Sequence, residues 1–339
     1  MKVFGKGPKI FPIFLPNLGC KGTCVYCNQR VMTGEELLAP QELARNDFSK
    51  VDEIAFYGGT FTGLDLNLIE DYLKLAPEKP KRISTRPDAI TEEVVALLKK
   101  YNVRTVELGI ESLFEDVLHA SRRYYDEGLV RNVIESLKKD FDIVAHLMTG
   151  LPKDSSEKSL ISTLKLLEMG VKTFRIHPTL VFAGTELEKM YRSGQYEPQP
   201  LEEAVITVAR ILVTIESHGG KVIRLGYHVP KSQNGYIVAG PYHPSFGDLV
   251  RARLVKEIVN SLRIKVAYVP GRFLPWFTSY GNNELDLTLI PTEGEEILLD
   301  NLAFVEAESL YFQRFVKQTI FKSAHVANLD FSEVSTCKS

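Results

Sequence analysis

Up to about residue 230, short apolar runs alternate with amphipathic stretches. Residues 10–16 (IFPIFLP), 53–57 (EIAFY), 81–85 (KRIST), 103–110 (VRTVELGI), 141–148 (FDIVAHLM), 171–176 (VKTFRI) and 221–228 (KVIRLGYH) have the length and the β-branched or aromatic content of strands. Between them, helical spacing of apolar positions predicts helices near 66–76, 93–100, 113–120, 126–139, 156–169, 185–193 and 201–218, with Thr91 placed to cap the second. Strands and helices that alternate at roughly 30–40 residues are the mark of βα units on a parallel sheet.

The fold class this predicts is α/β, a partial (βα)6 TIM-type barrel, with a doubly wound sheet as the alternative. After residue 230 the alternation stops. Residues 231–247 are rich in Gly, Pro, Ser and aromatics, 248–263 read as one helix, 264–310 as mixed strands and turns, and 312–323 as a last helix. The division expected is 1–230 as the barrel and 231–339 as a C-terminal α+β extension and candidate substrate-binding element. The chemically distinctive residues gather at the ends of the predicted strands: a cysteine loop, Gly58-Gly59-Thr60, Arg86, Glu107 to Ser112, His146 with Gly150, and His177. In parallel α/β folds those ends converge on one mouth.

Composition narrows the class without naming a function. Apolar content of 44% and charged content of 25% are those of an ordinary soluble protein. No run of eighteen apolar residues is present, and MKVFGKGPKIFPIFL lacks the apolar core and cleavage site of a signal peptide, so the expectation is cytoplasmic with no membrane partner. The net charge of −2 excludes a strong generic pull on nucleic acid. Locally, Arg251, Arg253, Lys256, Arg263, Lys265 and Arg272 face a single acid, Glu257, within 251–272, whereas 273–310 holds eight acids and no Lys or Arg. The two readings are a pair of solvated faces and a basic ridge for a polyanion.

Three of the four cysteines, Cys20, Cys24 and Cys27, lie in GCKGTCVYCN with C-x3-C-x2-C spacing; Cys337 reads as an inert tail residue. Clustered cysteines in a reducing compartment point to metal rather than disulfides. Three thiolates are one short of the four ligands of a closed zinc or iron–sulfur site. Either a fourth ligand, such as a histidine, is borrowed, or a coordination position stays open.

C-x3-C-x2-C with an aromatic before the third cysteine, at the end of the first strand, resembles the signature of the radical S-adenosylmethionine (SAM) enzymes. The resemblance implies that Cys20, Cys24 and Cys27 hold a [4Fe–4S] cluster whose fourth iron takes SAM. It implies reductive cleavage of SAM to a 5′-deoxyadenosyl radical that abstracts hydrogen from a substrate. Gly58, Gly59 and Thr60 match the glycine motif that receives the SAM amino group, where glycine permits close approach. STRPDAIT (84–91), VELGIESLFEDVL (106–118), HLMTGLP (146–152) and HPTLVFAGTELEKMYRSGQY (177–196) look like the radical SAM domain of the Elongator catalytic subunit over roughly residues 9–228. By that resemblance Glu111 takes the place of a ribose-contacting Gln, Arg122 pairs with the SAM carboxylate, and Arg86 and His146 are further SAM-site candidates.

The resemblance implies an electron donor such as ferredoxin or flavodoxin and a tRNA substrate. It stops short of the acetyltransferase part, because no R-x-x-G-x-G phosphate loop occurs in 230–339. A looser similarity to oxygen-independent coproporphyrinogen oxidase gives the second reading, a small-molecule or tetrapyrrole substrate. The third is a non-catalytic metal-binding protein. At the strand ends, Glu107 reads as a residue of the common mouth or a structural partner for Arg86 or Arg104. His146 and His177 read as site residues or satisfied core histidines. Tyr227, His228, Tyr242 and His243 read as pocket lining or as packing for the extension.

Overall fold

In a computed structural model, which describes residues 9–282 and 284–318, the expected strands pair in sequence order. They are β1 (Ile10–Phe14), β2 (Glu53–Tyr57), β3 (Lys81–Thr85), β4 (Val103–Glu111), β5 (Asp142–Thr149) and β6 (Thr173–Pro178), followed by the short β7 (Val181–Phe182) and then β8 (Lys221–Leu225). The main sheet has the order β1-β2-β3-β4-β5-β6-β8, and every pair in it is parallel. The seventh parallel strand, β8, is the one expected at 221–228, and it extends the sheet beyond six βα units. The sheet is curled. Across four strand spacings a flat sheet would separate β2 from β6 by about 19 Å. Arg175 on β6 nevertheless donates to the Tyr57 hydroxyl on β2 at 3.3 Å. The sheet is a half-barrel.

Period-two alternation decides which side chains fill it. On the outer face Phe56, Ile83, Val106, Leu108, Ala145, Leu147, Phe174 and Ile176 are buried against helices. The inner face carries Tyr57, Arg82, Ser84, Glu107, His146, Arg175 and His177. A closed barrel packs its interior with branched apolar residues; a polar interior marks a site.

Side-chain caps start the covering helices. Thr91 accepts from Val94 N, Asp126 from Leu129 N, Ser155 from Lys158 N and Thr185 from Glu188 N, each worth about 1 kcal/mol. The crossover from β1 to β2 differs. It holds the cysteine loop and two short helices, Gln29–Thr33 and Pro40–Leu43.

Beyond β8, β9 (Ile237–Ala239) pairs with β7. The helix Phe246–Leu262 packs on the helix Leu201–Ser217, and the two share the barrel's apolar core. A second sheet follows in the order β11-β10-β12-β13, from β10 (Val266–Pro270), β11 (Thr288–Thr292), β12 (Leu298–Leu299) and β13 (Leu302–Ala303). Here the sequence expectation needs correcting. The last helix begins at Phe304, not near 312, and Leu274–Thr278 is helical rather than strand. The stretch from Phe304 to Tyr311 has no Gly or Pro, and Glu306 closes its start by accepting from Ala303 N at 2.9 Å. Cys337 and the end of the expected 312–323 helix lie outside the described residues. No helix among the described residues is long and apolar enough to cross a membrane.

The 251–272 cations are mostly paired. Arg251 is bidentate to Glu216, both contacts at 2.6 Å. Arg253 donates to Glu257 at 2.7 Å, Lys265 to Asp286 at 2.5 Å and Arg272 to the Glu295 carbonyl at 2.7 Å. The acids of 273–310 supply part of that neutralisation, so the stretch is a set of ion pairs more than a basic ridge.

Candidate functional site

At the C-terminal ends of the strands the predicted residues come together. Cys20, Cys24, Cys27, Gly58, Gly59, Thr60, Arg86, Glu111 and His146 all line one cavity of about 390 Å³. The loop that carries the thiols is held on several sides. Cys24 and Tyr26 are buried. Val25 donates its N–H to the Ser121 carbonyl at 3.4 Å and accepts from Leu187 N at 2.7 Å. Asn28 donates to the Ala183 carbonyl at 3.2 Å. Gln29 joins the loop to the glycine turn: its Oε1 accepts from Asn17 N at 2.6 Å and from Gly59 N at 2.7 Å. Thr60 closes the turn, with its N–H on the Leu18 carbonyl at 2.8 Å and its hydroxyl 3.2 Å from Cys20 Sγ. Gly59 has φ +60°, and a Cβ there would sit 2.2 Å from the Leu18 carbonyl oxygen. No other residue type fits that approach.

The donor set fits an iron–sulfur cluster. Burial, followed by the charges of Cys24 and Cys20, pushes the Cys27 thiol up to about 12. Burial likewise raises Cys20. Three thiolates so placed need a positive centre among them, because the thiolate is the ligand. Two cations are aimed at the Cys24 sulfur: Arg123 donates to its Sγ at 3.3 Å and Arg86 at 3.8 Å. A single zinc ion would hold its sulfurs within about 2.3 Å of one point. Among the described residues no group of three Cys, His, Asp or Glu side chains is placed to do that.

Arg122 is placed differently from the sequence expectation. Its φ is +59°, its side chain is about half exposed, and it pairs with Glu186 at 3.3 Å outside the cavity. The next residue, Arg123, turns inward instead. It is 3% exposed and donates to the Tyr125 hydroxyl at 2.8 Å, the Tyr26 hydroxyl at 3.3 Å and the Gly109 carbonyl. The Arg-Arg pair signals a cation here, and the left-handed turn at the first residue decides which one enters. Glu111 owes its aim to a bulge: the β4–β5 register shifts between Gly109 and Glu111, and Glu111 has φ +66°. Bulges of this kind re-aim side chains beside sites. Arg86 forms a bidentate pair with Asp88 at 2.9 and 2.7 Å.

Below the thiols lies a charged floor. Glu107, fully buried, accepts from Arg82 at 2.9 Å, Arg175 at 3.0 Å and His146 at 2.9 Å. Burial acts to raise its carboxyl, but the hydrogen bond and charge of His146, with Arg175 and Arg82, prevail and hold it at about 2. The expected partners Arg86 and Arg104 are not used. Arg86 is taken by Asp88, and Arg104, an odd number of residues from Glu107 on β4, points to the outer face and is exposed. Burial, then the charges of His146, Arg175 and Arg224, keep the His177 imidazole well below its usual range; its ring stacks on Tyr227 at 4.7 Å. Tyr227 and His228 line the cavity. Tyr242 packs with Leu180, Phe182 and Val229, and His243 accepts from Ser245 N. Sequence reasoning singled out neither Arg123, Arg175 nor Arg224. Inward placement on consecutive strands is the signal that finds the last two.

Known proteins give the same picture of family and fold. The model described as the radical SAM superfamily matches residues 15–167, and the Radical_SAM C-terminal domain model matches 171–256. Elongator complex protein 3 of Danio rerio is 30% identical over 236 residues, 61% of this chain and 42% of the relative. That of Drosophila melanogaster is 28% identical over 234 residues, 60% of this chain and 41% of the relative. An uncharacterised protein of Methanocaldococcus jannaschii is 26% identical over 194 residues, 54% of this chain and 60% of the relative. The chain therefore spans less than two thirds of each of these relatives. Among solved structures, the archaeal Methanocaldococcus infernus Elp3 with an N-terminal deletion matches with a TM-score of 0.54 at 23% identity, over 60% of this chain and 54% of that one. That likeness is one of fold.

Proposed function

Because this chain belongs to the radical SAM superfamily, and is an enzyme of that class, we propose that it holds a [4Fe–4S] cluster on Cys20, Cys24 and Cys27 and binds SAM in the cavity beside them. The bound pair supplies reductive cleavage of SAM and a 5′-deoxyadenosyl radical for hydrogen abstraction. One observation supports the reading: three thiols, a glycine turn, a bulge-aimed carboxylate and four guanidinium groups share one strand-end cavity.

The chain's own residues have separable tasks. Gly58, Gly59 and Thr60 bring backbone close to the cofactor, and Glu111 presents acceptor oxygens where the resemblance expects the ribose. Arg123 takes the inward place that the resemblance gave to Arg122 and orients Cys24 against the β4 bulge. His146 is held by Glu107 and presents its ring to the cavity. An external electron donor of the ferredoxin or flavodoxin kind would supply the electron.

For the substrate, the resemblance favours tRNA. The pairing of the 251–272 cations moves the support for an anionic substrate from that stretch to the cavity itself. Anaerobic reconstitution with iron and sulfide, followed by SAM and dithionite, tests the reading. We expect 5′-deoxyadenosine and methionine; a protein with an intact cluster that yields neither overturns it and leaves a metal-binding role.

A further inference from the structure

One row of inward-facing side chains crosses the last strands of the half-barrel. His146 on β5 is in register with Arg175 on β6, and Arg175 with Arg224 on β8. Neighbouring parallel strands lie about 5 Å apart, so the two guanidinium groups are adjacent on one face, and both line the cavity. Like charges directly opposite on neighbouring strands destabilise a sheet unless something neutralises them.

The neutralisation within the chain is incomplete. Glu107 is already shared by Arg82, His146 and Arg175. Arg175 reaches Glu107 and Tyr57 through one amino nitrogen, while its Nε is buried without a partner. The Arg224 side chain makes no hydrogen bond or ion pair among the described residues. Burial, then the charge of Arg175, lower its proton affinity, and the charges of Tyr57 and Glu107 offset this only in part. β8 is the last strand of the sheet, so Arg224 stands at the edge of the cavity, where its residue is exposed and His228 lies nearby on the same wall.

We propose that Arg224 and Arg175 form a receptor for an oxyanion, a phosphate or carboxylate group carried by the substrate. A guanidinium offers a planar fork that matches both anions. An anion bridging the two arginines removes their repulsion. Its place at the sheet edge lets an anionic group on a larger molecule reach it while the rest stays outside. The cysteine loop, with Arg86 and Arg123, lies at the β1 side of the mouth. The inference rests on the proposed function only in assigning the anion to the substrate.

The test is calorimetric titration of the full-length, cluster-loaded protein under anaerobic conditions and at fixed ionic strength. SAM is kept saturating so that its own carboxylate is not what is read. The probes are inorganic phosphate and malonate. We expect saturable binding of at least one by the wild type, weakened about tenfold or more by Arg224→Gln, which removes a charged donor, and partly restored by Arg224→Lys. Arg45→Gln, an exposed control, should bind as the wild type does. Tighter binding of phosphate assigns a phosphate-bearing substrate, and tighter binding of malonate a carboxylate. Absence of saturable binding of both probes, or equal affinity in Arg224→Gln, overturns the receptor. Wild type that cleaves SAM but binds neither probe removes this inference alone; wild type that binds a probe but cleaves no SAM removes the functional reading alone.

Discussion

Arg123 donates to Cys24 Sγ at 3.3 Å while a second nitrogen of the same guanidinium holds the Gly109 carbonyl. One buried side chain therefore ties the cysteine loop to the β4 bulge that aims Glu111. A lysine at this position keeps the charge but not the fork. Arg123→Lys is expected to lose at least one charged hydrogen bond, a destabilisation of about 2 kcal/mol, and to reconstitute with less iron per chain than the wild type. Arg122→Ala, which removes an exposed pair with Glu186, should leave both the melting temperature and the iron content as they are. Equal iron content in the wild type and Arg123→Lys would mean that the fork does not position the loop.

Glu107, beneath the mouth, pairs with Arg82, Arg175 and His146 together, and Glu53 is a second partner of Arg82. Glu107→Gln keeps the shape and removes the charge, leaving Arg175 without its counter-ion while Arg82 keeps Glu53 at 3.1 Å. Breaking a buried pair in this way costs about 3–5 kcal/mol. Chemical denaturation at neutral pH measures it, and a loss under about 1 kcal/mol would mean that solvent already compensates the arginines. The pH dependence has a definite sign. The folded carboxyl, held at about 2, lies below its ordinary value of 4.5. Its contribution is thus complete above 4.5 and is lost as the pH falls toward 2. Acid denaturation of the wild type should show that loss, and Glu107→Gln should flatten it.

The parts of this molecule that could be read from the chain were those encoded locally. The strands follow period two and the helices their own spacing, so the half-barrel, the Thr91 cap and the meeting of Cys20–Cys27 with Gly58–Thr60 at strand ends were all legible. What was not legible depends on a single dihedral or on distant partners. A left-handed φ at Arg122 sends that residue out and Arg123 in. Arg251 looked like part of a basic ridge because its partners, Glu216 and Glu308, lie in other helices. The partners of Glu107 come from β3, β5 and β6, which only strand register brings together.

Asp154 lies in the loop that follows β5. Its Oδ2 accepts from Gly150 N at 2.9 Å and Ser159 Oγ at 2.8 Å, whereas its Oδ1 is buried without a partner. Burial raises its carboxyl from 3.8 to about 6, against those hydrogen bonds. The raised value means that the folded state binds the proton more tightly than the unfolded one. Stability should therefore fall as the pH rises from about 4 to about 6 and stay lowered above that. Asp154→Asn keeps an acceptor for Gly150 and Ser159 without the charge. It should be more stable than the wild type at pH 8, by up to about 2 kcal/mol, and should lack the decline between pH 4 and 6. Parallel stability profiles for the two proteins would show that Asp154 is solvated.

The glycine turn and the cysteine loop offer a matched pair of substitutions. At Gly59 an added Cβ would meet the Leu18 carbonyl oxygen at 2.2 Å and the Leu15 carbonyl oxygen at 2.7 Å, on a backbone with φ +60°. Neither carbonyl has room to withdraw. Leu18 O accepts from Thr60 N and Leu15 O from Leu18 N, so relief of the clash breaks the bonds that seat Thr60 against Cys20. Gly59→Ala should cost about 1–3 kcal/mol from backbone strain alone, and it should also lower cluster retention. At Gly22, in the cysteine loop itself, a Cβ meets nothing within 4 Å, and Gly22→Ala should change stability by less than about 0.5 kcal/mol. Thermal melts and iron content of the two variants side by side separate a steric demand of the glycine turn from a general sensitivity of the loop. If Gly22→Ala proves as damaging as Gly59→Ala, close backbone approach is not what the glycine turn requires.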